Sequence, residues 1–332
     1  MNRFYPEIRS CRGIPPLRDS QNRCPSGRND KNMSVAWRVA GCMALLAAGV
    51  CAAGDDQRVV LLPKLQVGQV VKYDVHGSVK RHVKTESRVA TMLHPGDVQR
   101  DVAMPILFAA KEIHLENGRP VVVAHAEFDA GEPDSSDKNA SAKANVDFTI
   151  AGNGQVAKAE GLDEVAPEMR LAWQFWLSRF AFGWTLPAEG AKPGDKWKTE
   201  EQEKTPSPIA NLVWETETTY VGNDRCPLIP AEACGSFLTR ATLKQKSSTK
   251  DATPEDYRLH ELRTSGAAKG TDEIVTYISL KSGLVVRATE ETQQSMDVTI
   301  AKADGTNGVH YTIEASSRFE TLLVEGNESA EK

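Results

Sequence analysis

The stretch AAKEIHLENGRPVVVAHAEFD, residues 109–129, decides the fold. Ile113-His114-Leu115-Glu116 and Ala124-His125-Ala126-Glu127-Phe128 alternate apolar with polar, the period of a strand with one face buried. Between them stands Asn117-Gly118, a dipeptide suited to the positive φ of a tight hairpin turn. The segment therefore reads as two antiparallel strands. The same period recurs on both sides of it. VVKYDVHGSVKRHV (70–83) reads as a long strand, and NVDFTIAGNGQVAKAEGL (145–162) as a hairpin turning at Gly152-Asn153-Gly154. Further strands are expected at 194–203, 211–221, 235–247, 257–265, 271–280, 284–301 and 309–325, with Asp304-Gly305 and Asn307-Gly308 marking the last turn. AGEPDSSDKNASAK (130–143) reads as a solvated loop. The expected fold is mainly β (α+β), built on a large curved antiparallel sheet or sheets.

One segment breaks the rhythm. PEMRLAWQFWLSRFAFGW (167–184) has helical composition, with Pro167 suited to a first helical position and Glu168 to the N-terminal dipole. Met169, Trp173, Trp176 and Phe180 follow at spacings of four, three and four and share one helical face. Ala172, Phe175, Leu177 and Phe182 spread the apolar surface beyond that face. One long helix over about 165–183 is expected, packed on the concave face of the sheet. Covering a sheet is the plain reading. The sharper one makes Met169, Trp173, Trp176 and Phe180 the lining of an apolar pocket.

A faint internal repeat accompanies this. Gly68 precedes Tyr73 and Gly194 precedes Trp197, while GQVAKA (154–159) echoes GLVVRA (283–288). The offsets are 126 and 129 residues, so two related β halves compete with chance matching. The division expected is 54–162 for the first half, 163–186 for the connecting helix, 187–326 for the second half and 327–332 for a disordered tail.

Residues 1–32 form a basic, Pro-containing leader or an upstream start, with Met33 the true one. Residues 33–53 read as a signal peptide: a single charge at Arg38, then an apolar run from Val39 to Ala53 with Cys51 and Ala53 in the small positions before cleavage. That run is fifteen residues, short of the roughly 20 of a membrane-spanning helix. Val39-Ala40-Gly41-Cys42 fits a lipid-attachment pattern locally, but no apolar run precedes it, and plain cleavage near Ala53 is expected. Of 40 basic and 45 acidic residues, eight and three lie in 1–53, which leaves 32 against 42 and a formal charge of −10 over 54–332. Nucleic acid is thereby excluded as a partner, and an anionic membrane surface disfavoured. Localisation is expected to be periplasmic or extracellular, with no stable transmembrane segment in the mature chain.

Beyond residue 53 two cysteines remain, Cys226 and Cys234, flanking the loop CPLIPAEAC between strand-like runs. In an oxidising compartment they are expected to pair as a structural staple. No stretch carries a catalytic signature. Ser247-Ser248-Thr249-Lys250 matches S-x-x-K without its partner motifs, the seven histidines lack metal-ligand spacing, and Asp129, Glu132, Asp134 and Asp137 crowd a loop without calcium-site spacing. No catalytic residue, metal or cofactor is expected.

VGQVVKYDV, VDFTIAGNGQVAKA and AKPGDKW together resemble a family of exported bacterial proteins known only as a domain of unknown function. The resemblance implies an envelope-located β protein. The curved sheet with one helix also looks like the half-barrels of lipoprotein carriers and related lipid-binding proteins. The functional expectation is a non-enzymatic exported protein that binds an apolar or lipid-like ligand in the cell envelope. The alternative is a structural or assembly component with a fully packed core.

Overall fold

The structure is a computed structural model that describes residues 58–85, 95–129, 143–162, 165–203 and 207–328. Residues 1–32, the segment 33–53 read above as a signal peptide, and Glu132, Asp134 and Asp137 lie outside the described residues. The strands are β1 (Val70–Thr85), β2 (Gly96–Glu116), β3 (Arg119–Asp129), β4 (Lys143–Ile150), β5 (Val156–Glu160) and β6 (Lys196–Gln202). They continue with β7 (Leu212–Arg225), β8 (Ala233–Gln245), β9 (Leu262–Ser279), β10 (Val285–Lys302) and β11 (Val309–Glu328). All eleven belong to one sheet in the order β5-β4-β3-β2-β1-β11-β10-β9-β8-β7-β6. Every neighbouring pair is antiparallel. Two five-stranded meanders, β1 to β5 and β6 to β10, thus run in the same order, and β11 joins β10 to β1.

The two meanders begin alike. Gly68 and Gly194 have φ of +81° and +90°. Each amide donates to the next strand, Gly68 to the Ala110 carbonyl at 2.8 Å and Gly194 to the Tyr220 carbonyl at 2.7 Å. Ala110 and Tyr220 donate back to the carbonyls of Gln69 at 3.3 Å and Asp195 at 3.0 Å. The Gln69 and Asp195 side chains each accept from the backbone three residues earlier, Gln66 at 3.0 Å and Lys192 at 3.1 Å. Bulges follow at the same place, between Ala110 and Glu112 on β2 and between Tyr220 and Gly222 on β7.

The expected single long helix is instead α1 (Pro167–Phe180) followed by the four-residue α2 (Phe182–Thr185), with a third short helix, α3 (Glu255–Leu259). The two helices meet at Ala181, φ −75° and ψ −7°, where the turn tightens and the Trp184 amide donates three residues back, to the Ala181 carbonyl at 3.0 Å. A Cβ on Gly183 would stand 2.8 Å from the Leu61 carbonyl, so close packing on the N-terminal segment sets the new direction. The strand expected at 257–265 is corrected too: α3 and a turn at Glu261, φ +57°, occupy its first half. Its second half joins 271–280 in the single strand β9, so His260 and Glu261 do not lie in a strand.

Helix α1 forces the sheet to curl. Trp173 meets Phe148 of β4 and Phe182 meets Phe237 of β8, each at 5.5 Å between ring centres. Those strands lie seven places apart in the sheet order, which would be roughly 33 Å if flat. Trp173 of α1 and Phe182 of α2 are nine residues apart, and even an unbroken helix of that length rises only about 14 Å. The sheet must therefore wrap the helix. The other end of the same face is closed by a second cluster in which Ile209 and Ala252 cover Val83, Met296, Val298 and Tyr311.

Candidate functional site

The structure brings Met169, Trp173, Trp176 and Phe180 together beneath α1, exposed by only 7, 1, 0 and 2 %. Ring contacts at 4.5–6.4 Å tie Trp173, Trp176 and Phe180 to Tyr73, Phe108, Phe128 and Phe148 of the sheet. Burying each large side chain contributes about 1.5–3 kcal/mol. The polar ends of two neighbours are satisfied: Tyr73 donates from its hydroxyl to the Val285 carbonyl at 3.0 Å, and Trp184 from its indole to the Pro120 carbonyl at 2.9 Å. Burial pushes the Tyr73 phenol well above its usual range.

Between the two apolar clusters the same sheet face turns polar. Ala288 of β10 pairs with Thr276 on one side and Thr321 on the other, which sets the two hydroxyls in one register row. Both threonines are 1 % exposed. Two residues along β10 from Ala288 stands Glu290, paired with Phe319, and Phe319 stacks on Phe175 of α1 at 5.6 Å. This contact sets the helix over the spot. Among the described residues, Trp176 Nε1 and Arg179 Nη1 of α1 and the hydroxyls of Thr264, Thr276 and Thr321 on the sheet are buried without a hydrogen-bond partner. Such atoms are few in native folds, and each costs about 1–3 kcal/mol.

Glu290 and Asp272 form a carboxyl pair at the edge of this row. Thr292 donates to Asp272 at 3.0 Å. Burial raises the Asp272 carboxyl, while the Thr292 bond and the Arg179 charge oppose the rise. Burial first, then the charge of Asp272, pushes Glu290 up to about 8, with Arg179 pulling the other way. Glu203 adds a further negative charge nearby and accepts from Trp214 Nε1 at 2.8 Å and Gln294 Nε2 at 3.3 Å. Sequence reading missed this group. Its one signal was parity: Glu290 falls in step with Ala288 and Met296, on the buried side of its strand.

The opposite face of the sheet is charged and wet. A cleft of about 1000 Å³ crosses it along one register row, Gln99, Lys80, Ser316, Gln293, Thr271 and Thr242. Arg240–Glu273, Arg287–Glu320 and Arg318–Glu291 pair across strands on this side at 2.9, 2.6 and 3.4 Å. His82 and Asp97 pair at the cleft itself. Ser247 donates its hydroxyl to the Ala210 carbonyl at 2.9 Å, a loop contact. Among the described residues no group of three or more His, Cys, Asp and Glu is placed to hold a metal ion, and no helix is long and apolar enough to cross a membrane. Cys226 and Cys234 are joined by a disulfide that closes the β7–β8 hairpin, and both are buried.

No family model matches the chain, and no curated protein sequence matches it. Among solved structures, an outer membrane channel from Pseudomonas putida F1 is similar at 10 % identity over 78 % of this chain and 97 % of that one, with a TM-score of 0.18. That likeness is too weak to carry an argument. What stands is a mainly β protein with a disulfide that suits an oxidising compartment.

Proposed function

We propose that the protein is a non-enzymatic, exported component of the cell envelope that binds an apolar or lipid-like molecule between α1 and the concave sheet face. The described form is then the closed one, in which Trp173, Trp176 and Phe180 occupy the surface a ligand would cover. The observation that supports this is the underside of α1. Its rings are fully buried, yet two of its polar atoms, Trp176 Nε1 and Arg179 Nη1, have no hydrogen-bond partner. A helix that only filled a core would gain by apolar side chains at those places. The charged outer face fits a water-exposed protein, because lipid-facing strands carry an apolar band. A second reading, a packed structural component, is favoured by the close ring contacts themselves.

Trp176→Ala separates the two. If α1 lifts to admit a ligand, its underside borders exchangeable space and the ligand-free variant loses about 1 kcal/mol in denaturant melts. A brominated alkyl chain then quenches tryptophan emission in the wild type and much less in the variant. A loss of about 3–5 kcal/mol with no quenching in either protein establishes the packed component instead.

A further inference from the structure

The two ends of α1 are held in different ways. At its C-terminal end the chain turns at Ala181 into α2, and α2 is fixed by directional bonds. Arg119, at the start of β3, donates from Nη1 to the Trp184 carbonyl at 2.8 Å and from Nη2 to the Leu186 carbonyl at 3.2 Å. The same Nη1 donates to the Gly152 carbonyl at 3.1 Å, between β4 and β5. Trp184 returns a bond from its indole to the Pro120 carbonyl. Glycines bring backbone close on both sides: a Cβ on Gly183 would stand 2.8 Å from the Leu61 carbonyl, and one on Gly154 3.4 Å from the Ala181 carbonyl. The segment that carries Leu61 is itself tied down, Val59 donating to the Ala191 carbonyl and Lys64 to the Ser282 carbonyl, each at 2.8 Å.

α1 has nothing comparable. Among the described residues no hydrogen bond joins it to the sheet; Ser178 and Arg179 bond within the helix, to the Phe175 carbonyl and the Ser178 hydroxyl. Trp176 Nε1 and Arg179 Nη1 find no partner. The ion pair at its first turn, Glu168 with Arg100 of β2, spans 3.9 Å between partly exposed side chains and holds little in water. The remaining hold is apolar burial, which has no fixed direction. The chain entering α1 comes from β5, the edge strand, which meets β4 at three register pairs. At Arg100 the sheet face is also reached by solvent. Arg100, Val79, Ser317, Thr292 and Asp272 form one register row, and none of the five is buried. Resting on the reading that an apolar molecule binds beneath α1, we propose that α1 is a flap hinged at Ala181: its first turn swings away from Arg100, α2 stays with the sheet, and the ligand enters through the mouth that opens on this polar row. Hinges of this kind sit at the ends of elements. Among the described residues the swing breaks one ion pair and no hydrogen bond between α1 and the sheet, and it leaves every bond of α2 in place.

The test labels the full chain with 5-fluorotryptophan, assigns the fluorine resonances by single Trp→Phe changes, and adds a soluble gadolinium chelate that broadens whatever solvent reaches. Without ligand, broadening is expected to fall in the order Trp173, Trp176, Trp184, with Trp184 protected. Ala181→Gly, which loosens the hinge, is expected to raise the broadening of Trp173 up to about fivefold, the scale of the Gly-for-Ala entropy difference, and to leave Trp184 unchanged. Arg119→Gln, which unpins α2, is expected to broaden Trp184 as well. Equal broadening of Trp173 and Trp184 in the wild type would show α1 and α2 moving together, and an unbroadened Trp173 would show a helix that stays down; either result overturns the hinge. Brominated hexadecane, titrated separately through its quenching of tryptophan emission, keeps the two readings apart. If it binds and either of those results is found, the apolar site stands and the hinge is wrong. If it fails to bind while Trp173 and Trp176 broaden and Trp184 does not, the hinge stands and the apolar ligand is wrong. The order of broadening is read on the wild-type sequence, so it stands even where a hinge variant folds poorly.

Discussion

Glu290 stands in step with Ala288 and Met296 on the side of β10 that faces the core. Burial and the Asp272 charge lift its carboxyl from 4.5 to about 8. Between those two values the folded protein holds a proton that the unfolded chain releases. Stability is therefore greatest in mild acid and falls as pH rises from about 4.5 to 8. Asp272, also raised, adds to the fall. Glu290 keeps some exposure to solvent, so the shift converts to a screened effect on the order of 2 kcal/mol. Denaturant midpoints at acid and mildly alkaline pH should converge in Glu290→Gln and separate in the wild type; parallel behaviour of the two proteins would reject the assignment. A second residue tests the seat of α1. A Cβ on Gly77 would meet the Phe319 ring at 2.1 Å, and Phe319 carries the stack with Phe175. Gly77→Ala should displace that ring and cost about 1–3 kcal/mol, measured by urea unfolding.

At the scale of elements, the β7–β8 hairpin is stapled at its tip by Cys226–Cys234, eight positions apart. The loop-entropy model assigns about 2.5 kcal/mol to so short a ring. Changing both cysteines to alanine should lower stability by about that amount, and reductant should then no longer alter the melt of the variant. The staple was legible because only two cysteines, Cys226 and Cys234, follow residue 53. The strands were legible wherever alternation ran unbroken to a turn dipeptide, as at Asn117-Gly118. The first half of β2 was not, because Gly96 and Pro105 interrupt it, yet Val102, Met104, Ile106 and Phe108 are all buried in step. Pro105 is tolerated because pairing with β3 begins only at Ile106. The error at 257–265 came from reading Tyr257 and Leu259 as alternation. Pro254 followed by Glu255 and Asp256 was the first turn of a helix. Glycines misled in the other direction. Strands were expected to stop at 265 and resume at 271, but β9 runs through Gly266 and Gly270, and a Cβ on Gly270 would stand 2.9 Å from the Gln293 carbonyl and 3.1 Å from the Trp214 ring. Asp272 and Glu290 were invisible as a pair, because only the register of β9 against β10 brings them together.

For the whole molecule, the decisive quantity is whether α1 and the sheet share one stability. The sheet is continuous from β5 to β6, and β1–β11 pairing extends over sixteen register positions, from Val70–Glu328 to Thr85–Tyr311. Nothing covalent ties α1 to the sheet except its two ends, and its underside carries polar atoms that opening would return to water. A cover that admits a ligand must open without unfolding the sheet, so its amides should exchange through a sub-global opening. Hydrogen exchange followed along a low denaturant series is expected to give Trp173–Phe180 an opening free energy several kcal/mol below that of Tyr73–Val79 and Phe319–Leu323. The denaturant slope should be smaller as well, because opening the helix exposes less surface than unfolding eleven strands. Adding an apolar ligand that binds beneath α1 should then slow exchange in α1 by the factor its affinity and concentration dictate, and leave β1 and β11 unchanged. Coincident exchange of helix and sheet would make α1 an inseparable part of the core. Ligand binding beneath it would then be excluded, and the protein would be left with the structural role that its close ring packing already suits.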